Sequence, residues 1–281
     1  MTDVDTGTND LLARVDEGIG ILTLNRPERR NALSRPMLEA LARLLARFEV
    51  DDDVRCVVVT GAGGAFCAGG DVKAMAGDGG AAAGGGGGTD RPPPSYDAAV
   101  HRQRVSQRET SGRLWSMPKP TIAIIGGPAA GAGLSHALAC DLRYAAAGAI
   151  LTTAFARVGF AGDYGGTWFL TRLVGSAKAR ELYFFSERIT AEEGARLGVV
   201  NEVFAPEDLE REALARARQL AQGPSIAYRY MKENLNRAVH GELGECLDME
   251  AAHHIHTGTT ADHREAVQAF VERREPVFHQ R

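Results

Sequence analysis

Chemistry in this sequence must come from a few short stretches: "AFCAGGDVK" (Ala65–Lys73), "GAGLSH" (Gly131–His136), "GFAGDYGGTW" (Gly159–Trp168) and "HHIH" (His253–His256). A dinucleotide site needs G-x-G-x-x-G where a strand turns into a helix, because the third glycine lets the two pack closely. "GAGGAF" supplies Gly61 and Gly63 but puts Phe66 at the third place, and "GAGLSH" puts His136 there. Neither turn is built for a pyrophosphate. Both follow apolar, strand-like runs, where a sheet presents its functional loops. Ser135 and His136 are a nucleophile and a base by type, but neighbours on a helix point about 100° apart, which is poor geometry for passing a proton between them. Asp163, between Gly162 and Gly165–Gly166, has two readings: a general base, or a turn aspartate whose side chain caps the next helix. His253 and His256 share a helical face, yet no cysteine or carboxylate completes a usual metal set, so they read as a solvated or subunit-contact face. Cys56, Cys67, Cys140 and Cys246 are scattered without a C-x-x-C pair, which gives neither a zinc site nor a disulfide framework.

The elements that must position these groups alternate between strand and helix. "GIGILTLN" (Gly18–Asn25), "VRCVVVTG" (Val54–Gly61) and "KPTIAIIGG" (Lys119–Gly127) are strand-like, the last two apolar enough for a sheet buried on both faces. A helix is expected from about Ser34 to Phe48, and another over "PAAGAGLSHALAC". "DLRYAAA" and "AILTT" read as strands of the same layer, "ITAEEGARLG" opens with Thr190 and Glu193 at capping-box spacing, and "VVNEVF" returns as a strand. After Pro206 only helical patterns remain: Asp208–Gln222, Pro224–Ala238 and Leu243 to about His256. The expectation is an α/β core over residues 1–205 and a helical region over 206–281. Residues 76–95, glycine- and proline-rich, read as a mobile surface loop.

The 281 residues are 44% apolar and 24% charged, with a net charge of −4. That is ordinary soluble composition, with no basic excess to suggest nucleic acid or an anionic membrane. The acidic start is no signal peptide and no apolar run is long enough to span a bilayer, so a cytoplasmic protein is expected.

"RPERRNALS", "FCAGGDVK", "KPTIAIIGGPAAGAGLSHALACDLRYAA" and "RLVGSAKARELYFFSERITAEEGARLGVVNEV" occur in an order that resembles the crotonase (enoyl-CoA hydratase/isomerase) superfamily, from about residue 15 to the ending "AFVERREPVF". The resemblance implies a crotonase-like spiral of ββα units, a C-terminal helical region for trimerisation (a homotrimer or dimer of trimers), and an acyl-CoA thioester as substrate with no further cofactor. It implies that the backbone N–H groups of Gly70 and Ala132 form an oxyanion hole; the family commonly has glycine at the second place. It also points to Arg30 and Lys73 for the coenzyme A phosphates, to backbone at Ala32 and Ala68 for the adenine, and to Gly69 beside the first donor. Arg273 or Arg274 would reach a neighbouring subunit's ligand. Family hydratases carry two glutamates where this sequence has Ser135 and Phe155, which become pocket-lining residues unable to exchange protons. Asp163 then resembles the aspartate of family isomerases acting on ring-type or dienoyl-CoA substrates. The expected reaction is a double-bond shift with Asp163 as base. The alternatives are hydration of an enoyl-CoA and a non-catalytic acyl-CoA-binding relative.

Overall fold

The computed structural model describes residues 1–71 and 95–280, so Lys73 and, apart from Ser95, the glycine- and proline-rich segment lie outside the described residues. The chain opens with β1 (Thr2–Val4), β2 (Leu11–Asp16) and β3 (Ile19–Leu24), an antiparallel ribbon whose first two strands the polar start did not reveal. Helix α1 (Arg35–Val50) starts where Ser34 accepts the Met37 N–H at 3.2 Å, and Pro36 sits in its first turn, where a missing N–H costs nothing. It buries Met37, Leu41, Leu44, Leu45 and Phe48 against the sheet. β4 (Cys56–Gly61) and β5 (Thr121–Ile125) then pair in parallel, and their apolar runs are buried on both faces as the sequence suggests.

Between β4 and β5 come α2 (Tyr96–Gln107), a π-helical turn (Arg108–Gly112) and α3 (Arg113–Ser116). After β5 the chain forms β6 (Ala129–Ala130), α4 (Ala132–Ala139), β7 (Leu142–Ala146), β8 (Ile150–Thr152) and α5 (Gly166–Phe185), which is broken in two by a sharp kink at Gly175 (φ 77°, ψ 163°). β9 (Ile189–Thr190), α6 (Ala191–Arg196), with its N–H of Glu193 capped by Thr190, and β10 (Glu202–Phe204) complete the core. The main sheet runs β1-β2-β3-β4-β5-β7-β10 and a small sheet runs β6-β8-β9. β7 and β8 are thus not in one layer, contrary to expectation. Gly148, at φ 75°, turns the chain between them, and Leu151 pairs with Ala129 in the second layer. β5 and β7 are each followed by a short strand of the small sheet, β6 and β8, and the segment after β4 joins the same layer through the Cys67–Ala129 bridge, in keeping with the expected spiral.

The tail consists of α7 (Leu209–Ala221), α8 (Ser225–Ala238), α9 (Leu243–Gly258) and α10 (Ala261–Glu272), the last unforeseen. Helix α7 packs on the sheet through Leu209, Ala213, Ala217 and Ala221. Helix α8 is tied down by polar contacts instead. Buried Lys232 donates to the Leu114 and Lys119 carbonyls, both at 3.1 Å, and to Asp141 Oδ2 at 2.7 Å. Met231, Leu235, Leu243, Leu247, Ile255, Phe270 and Val271 remain exposed on this tail. Among the described residues no helix is long and apolar enough to cross a membrane.

Candidate active site

The segment after β4 runs between two neighbours. On one side the Ala68 N–H donates to the Arg30 carbonyl (2.9 Å) and the Leu33 N–H to the Gly69 carbonyl (2.8 Å). On the other, the Cys67 N–H donates to the Pro128 carbonyl (3.2 Å) and Cys67 C=O accepts from the Ala130 N–H (2.9 Å). Gly70 is the parallel-bridge partner of Leu33. In such a pairing Leu33 bonds to the residues flanking Gly70, so Gly70's own N–H turns the other way, toward β6 and α4. Gly69 has φ 86°, and a Cβ there would stand 2.8 Å from the Ala130 carbonyl oxygen and 3.3 Å from the Ala132 nitrogen. The bare Gly69 backbone lets the start of α4 approach. Ala132 is the first residue of that helix, so its N–H has no intrahelical acceptor, and it lies on the positive end of the macrodipole. The left-handed dihedral falls on Gly131 (φ 52°), so alanine is unstrained at 132. The Gly69 backbone and the Ala132 nitrogen are thus brought side by side.

The packing beside Gly131 is aromatic. Phe155 lies 3.8 Å from where a Cβ of Gly131 would be and stacks on Tyr183, centroids 5.8 Å apart and planes 9° apart. The Tyr183 hydroxyl lies beside Gly162 and Gly166, the glycines that bracket Asp163, and a Cβ on Gly166 would also collide with the Ser135 hydroxyl. Asp163 does not cap α5. The N-cap position is Gly165, no side chain caps that end, and Asp163 uses only its backbone carbonyl, accepting the Gly166 N–H at 3.1 Å. Its Oδ1 is buried with no hydrogen-bond partner among the described residues. Burial pushes the carboxyl up to about 6 from an ordinary 3.8, and the same charge contributes to raising the Tyr183 phenol, chiefly desolvated, above its usual range.

The other chemical candidates are occupied elsewhere. Ser135 donates to the Gly131 carbonyl (3.3 Å), while buried His136 holds the Ala132 carbonyl through Nδ1 (2.8 Å) and Thr110 Oγ1 through Nε2 (3.3 Å). The two do not pair, and burial drives the imidazole down to about 4, leaving it neutral. Cys67 and Cys140 are buried thiols pushed up to about 12, chiefly by desolvation. His253 bonds Asn234 at 2.6 Å and packs on Tyr230 in an open groove of about 490 Å³ between α8 and α9, on the tail rather than at Asp163.

Of the residues linked to coenzyme A, Arg30 is exposed with φ 50°. Ala68's N–H and both backbone groups of Ala32 are used inside the loop, Ala32 C=O accepting from Arg26 at 2.8 Å. Arg274 is engaged by Glu265 and Glu272, at 2.5 and 2.7 Å. The sequence reading missed Arg26, which pairs with Asp71 at 3.1 Å, and buried Asn31, whose Nδ2 reaches the Ala62 and Ala65 carbonyls, both at 2.8 Å. These two hold the loop against the first donor segment. It also missed Tyr183 and Tyr164. Asn31 sits at φ 56°, a left-handed position that asparagine tolerates.

The Asp163 environment predicts a pH dependence of stability. The folded chain binds this proton more tightly than the unfolded chain, so stability is undiminished below the unfolded value of 3.8 and falls as pH rises through the folded value of about 6. Above that window the penalty is about 3 kcal/mol. Asp163→Asn should therefore be more stable than the parent in urea at pH 8, by about 2–3 kcal/mol, with the gain vanishing toward pH 4. Equal stabilities at pH 8 would mean that the carboxylate is solvated.

Comparison with known proteins gives the family. The enoyl-CoA hydratase/isomerase family model matches residues 14–91 and 94–281. The chain is 38% identical over 267 residues to the Rhodobacter capsulatus protein named "Probable enoyl-CoA hydratase", covering 94% of this chain and 95% of that one. It is 37% identical over 268 residues to 1,2-epoxyphenylacetyl-CoA isomerase of Escherichia coli, covering 95% and 97%. The crystal structure of enoyl-CoA hydratase from Bacillus anthracis superposes with a TM-score of 0.86 at 31% identity, over 97% of this chain and all of that one. Together with the layered α/β fold, these matches establish that the chain belongs to the enoyl-CoA hydratase/isomerase (crotonase) family.

Proposed function

We propose that this enzyme shifts a double bond in an acyl-CoA thioester, with Asp163 as the proton-transferring group. The observation that carries the reading is the buried, unpartnered Asp163 oxygen beside a wall where Ser135 and Phe155 replace carboxylates. The thioester oxygen sits between the Gly70 and Ala132 N–H groups. Asp163 takes a proton from an acyl carbon, the electron pair moves into the thioester as an enolate, and the oxyanion is held by two fixed donors, each worth about 3–4 kcal/mol in the barrier. The protonated Asp163 then returns the proton to another carbon of the conjugated system. No water is added and the carboxylate is regenerated. A value near 6 suits a group that must both take and give a proton at neutral pH. Coenzyme A lies along the Arg26–Leu33 loop, with Arg30 and Lys73 as phosphate cations, and no further cofactor takes part. The E. coli isomerase match supports isomerisation, and the hydratase names among the relatives support water addition as the competing reaction.

The exposed apolar residues of α8, α9 and α10 support a closed assembly, a homotrimer or dimer of trimers, in a cytoplasmic enzyme. Sedimentation at micromolar concentration should give three or six chains, and a stable monomer would contradict this.

The reaction is tested with a panel of 2- and 3-enoyl-CoA thioesters, among them 3-hexenoyl-CoA, in deuterated water with mass spectrometry. Isomerisation predicts deuterium exchange with no gain of water mass. Asp163→Asn should bind hexanoyl-CoA like the parent and lose turnover by on the order of 10²- to 10⁴-fold. Water addition as the sole reaction, or near-parental turnover by the variant, would reject the proposal.

A further inference from the structure

We propose that Gln107, from the end of α2, is a positioning residue that fixes the direction of the Asp163 side chain through the peptide joining Asp163 to Tyr164. The inference rests on Asp163 being the base. The loop carrying it is a poor platform by composition, because Gly159, Gly162, Tyr164 and Gly165 all have positive φ. Glycines leave such a loop many backbone states, and Tyr164 at φ 49° is a side-chain-bearing residue in a disfavoured region. Something outside the loop must select one state.

Tyr164 is the point at which the loop is held from outside. It is only 4% exposed, its ring packs on His136 with centroids 4.5 Å apart, and its hydroxyl lies 3.2 Å from Ser106 Oγ. Its backbone N–H donates to Gln107 Oε1 at 2.6 Å. On the other end of the same peptide, the Asp163 carbonyl accepts the Gly166 N–H at 3.1 Å. Both polar groups of this peptide are therefore held, and its plane cannot rotate. Rotation would change ψ of Asp163 and swing its carboxylate. Of the two bonds to this peptide, the one to Gln107 comes from a distant element.

Gln107 is itself held. The π-helical turn that follows directs Ser111 Oγ onto the Gln107 carbonyl at 3.1 Å and Thr110 Oγ1 onto that of Ser106 at 2.7 Å. An extra residue in one turn re-aims the side chains around it, a recurrent feature near functional sites. Thr110 also contacts the His136 ring against which Tyr164 packs, so the clamp and its support close on one another.

The test compares Gln107→Leu, which removes the acceptor, with Gln107→Glu, which keeps an oxygen at the same reach. With 3-hexenoyl-CoA, Gln107→Leu should lower kcat on the order of 10- to 100-fold. Its affinity for hexanoyl-CoA, read by calorimetry, should stay within about threefold, since binding energy spent elsewhere is untouched. Gln107→Glu should recover most of the loss, with the acid limb of its pH profile moved upward by the added negative charge. Combined with Asp163→Asn, Gln107→Leu should cost nothing further, because it acts only through that carboxylate. Hydrogen exchange of the Tyr164 amide, which needs no substrate, should accelerate in Gln107→Leu and not in Gln107→Glu. If Gln107→Leu does not fold, Gln107→Asn, whose oxygen is withdrawn by one methylene, must show the same kcat loss. Parental kcat in Gln107→Leu or Gln107→Asn while Asp163→Asn is inactive, an additive double variant, or an unchanged Tyr164 amide would overturn the proposal. Full activity of Asp163→Asn would instead remove the base assignment, and the amide exchange would then decide the clamp alone.

Discussion

Two backbone segments from different turns of the spiral can approach closely only where side chains are absent. A Cβ at Gly69 would meet the Ala130 carbonyl oxygen at 2.8 Å, and one at Gly133 would meet the Cys67 Cβ at 2.6 Å. Gly61 and Gly127 face the same restriction, from the Ala65 and Gly64 carbonyls. Gly69, Gly127 and Gly133 lie along one seam between the segment after β4 and the segment after β5, while Gly61 closes the turn that leads into it. Their clustering has the look of a phosphate-binding loop, but what it provides is contact between backbones. With the seam closed, the Gly69 backbone lies against the start of α4, beside the Ala132 nitrogen. A side chain at Gly69 would push them apart before any substrate arrived.

The second feature of the site works against stability. A carboxylate with a buried, unpartnered oxygen is costly, and nothing in the core relieves it. The molecule places that cost in a loop of left-handed residues and holds the loop from outside, through Tyr164 and the α2 end. A fully satisfied aspartate would be more stable and would lie too low in pKa to exchange a proton at neutral pH. Tyr183, stacked on Phe155, packs against the glycines on either side of Asp163. Stability is given up at the residue proposed as the base.

How much of this was legible in the sequence follows from how local each signal is. β4 and β5 were readable because strands buried on both faces are apolar throughout, and α1 because Ser34 and its apolar stripe lie within one turn of each other. "AILTT" was readable as a strand but not as a member of the second layer, because alternation says which face is buried and not which sheet is joined. Helix α2 escaped notice because none of its residues is buried, so it has no apolar stripe to see. Gly70, Ala132 and Asp163 were reached through family motifs rather than from spacing. The partners of Asp163 were not visible at all. Gln107 acts on a backbone N–H 57 positions away, and Tyr183 returns to Gly162 and Gly166 only through the path of α5. Residues that touch through tertiary folding leave no periodic trace.

The central claim is geometric, that one thioester oxygen is shared by two backbone amides while Asp163 faces the reacting carbons. The most direct measurement is a crystal structure of the enzyme with hexanoyl-CoA, a saturated thioester that cannot undergo the shift. The account predicts the thioester oxygen about 2.7–3.1 Å from both the Gly70 and the Ala132 nitrogens. It also predicts an Asp163 oxygen within about 3.5 Å of an acyl carbon, close enough for proton transfer. A thioester oxygen bound to other donors, or an acyl chain that leaves Asp163 facing solvent, would contradict it.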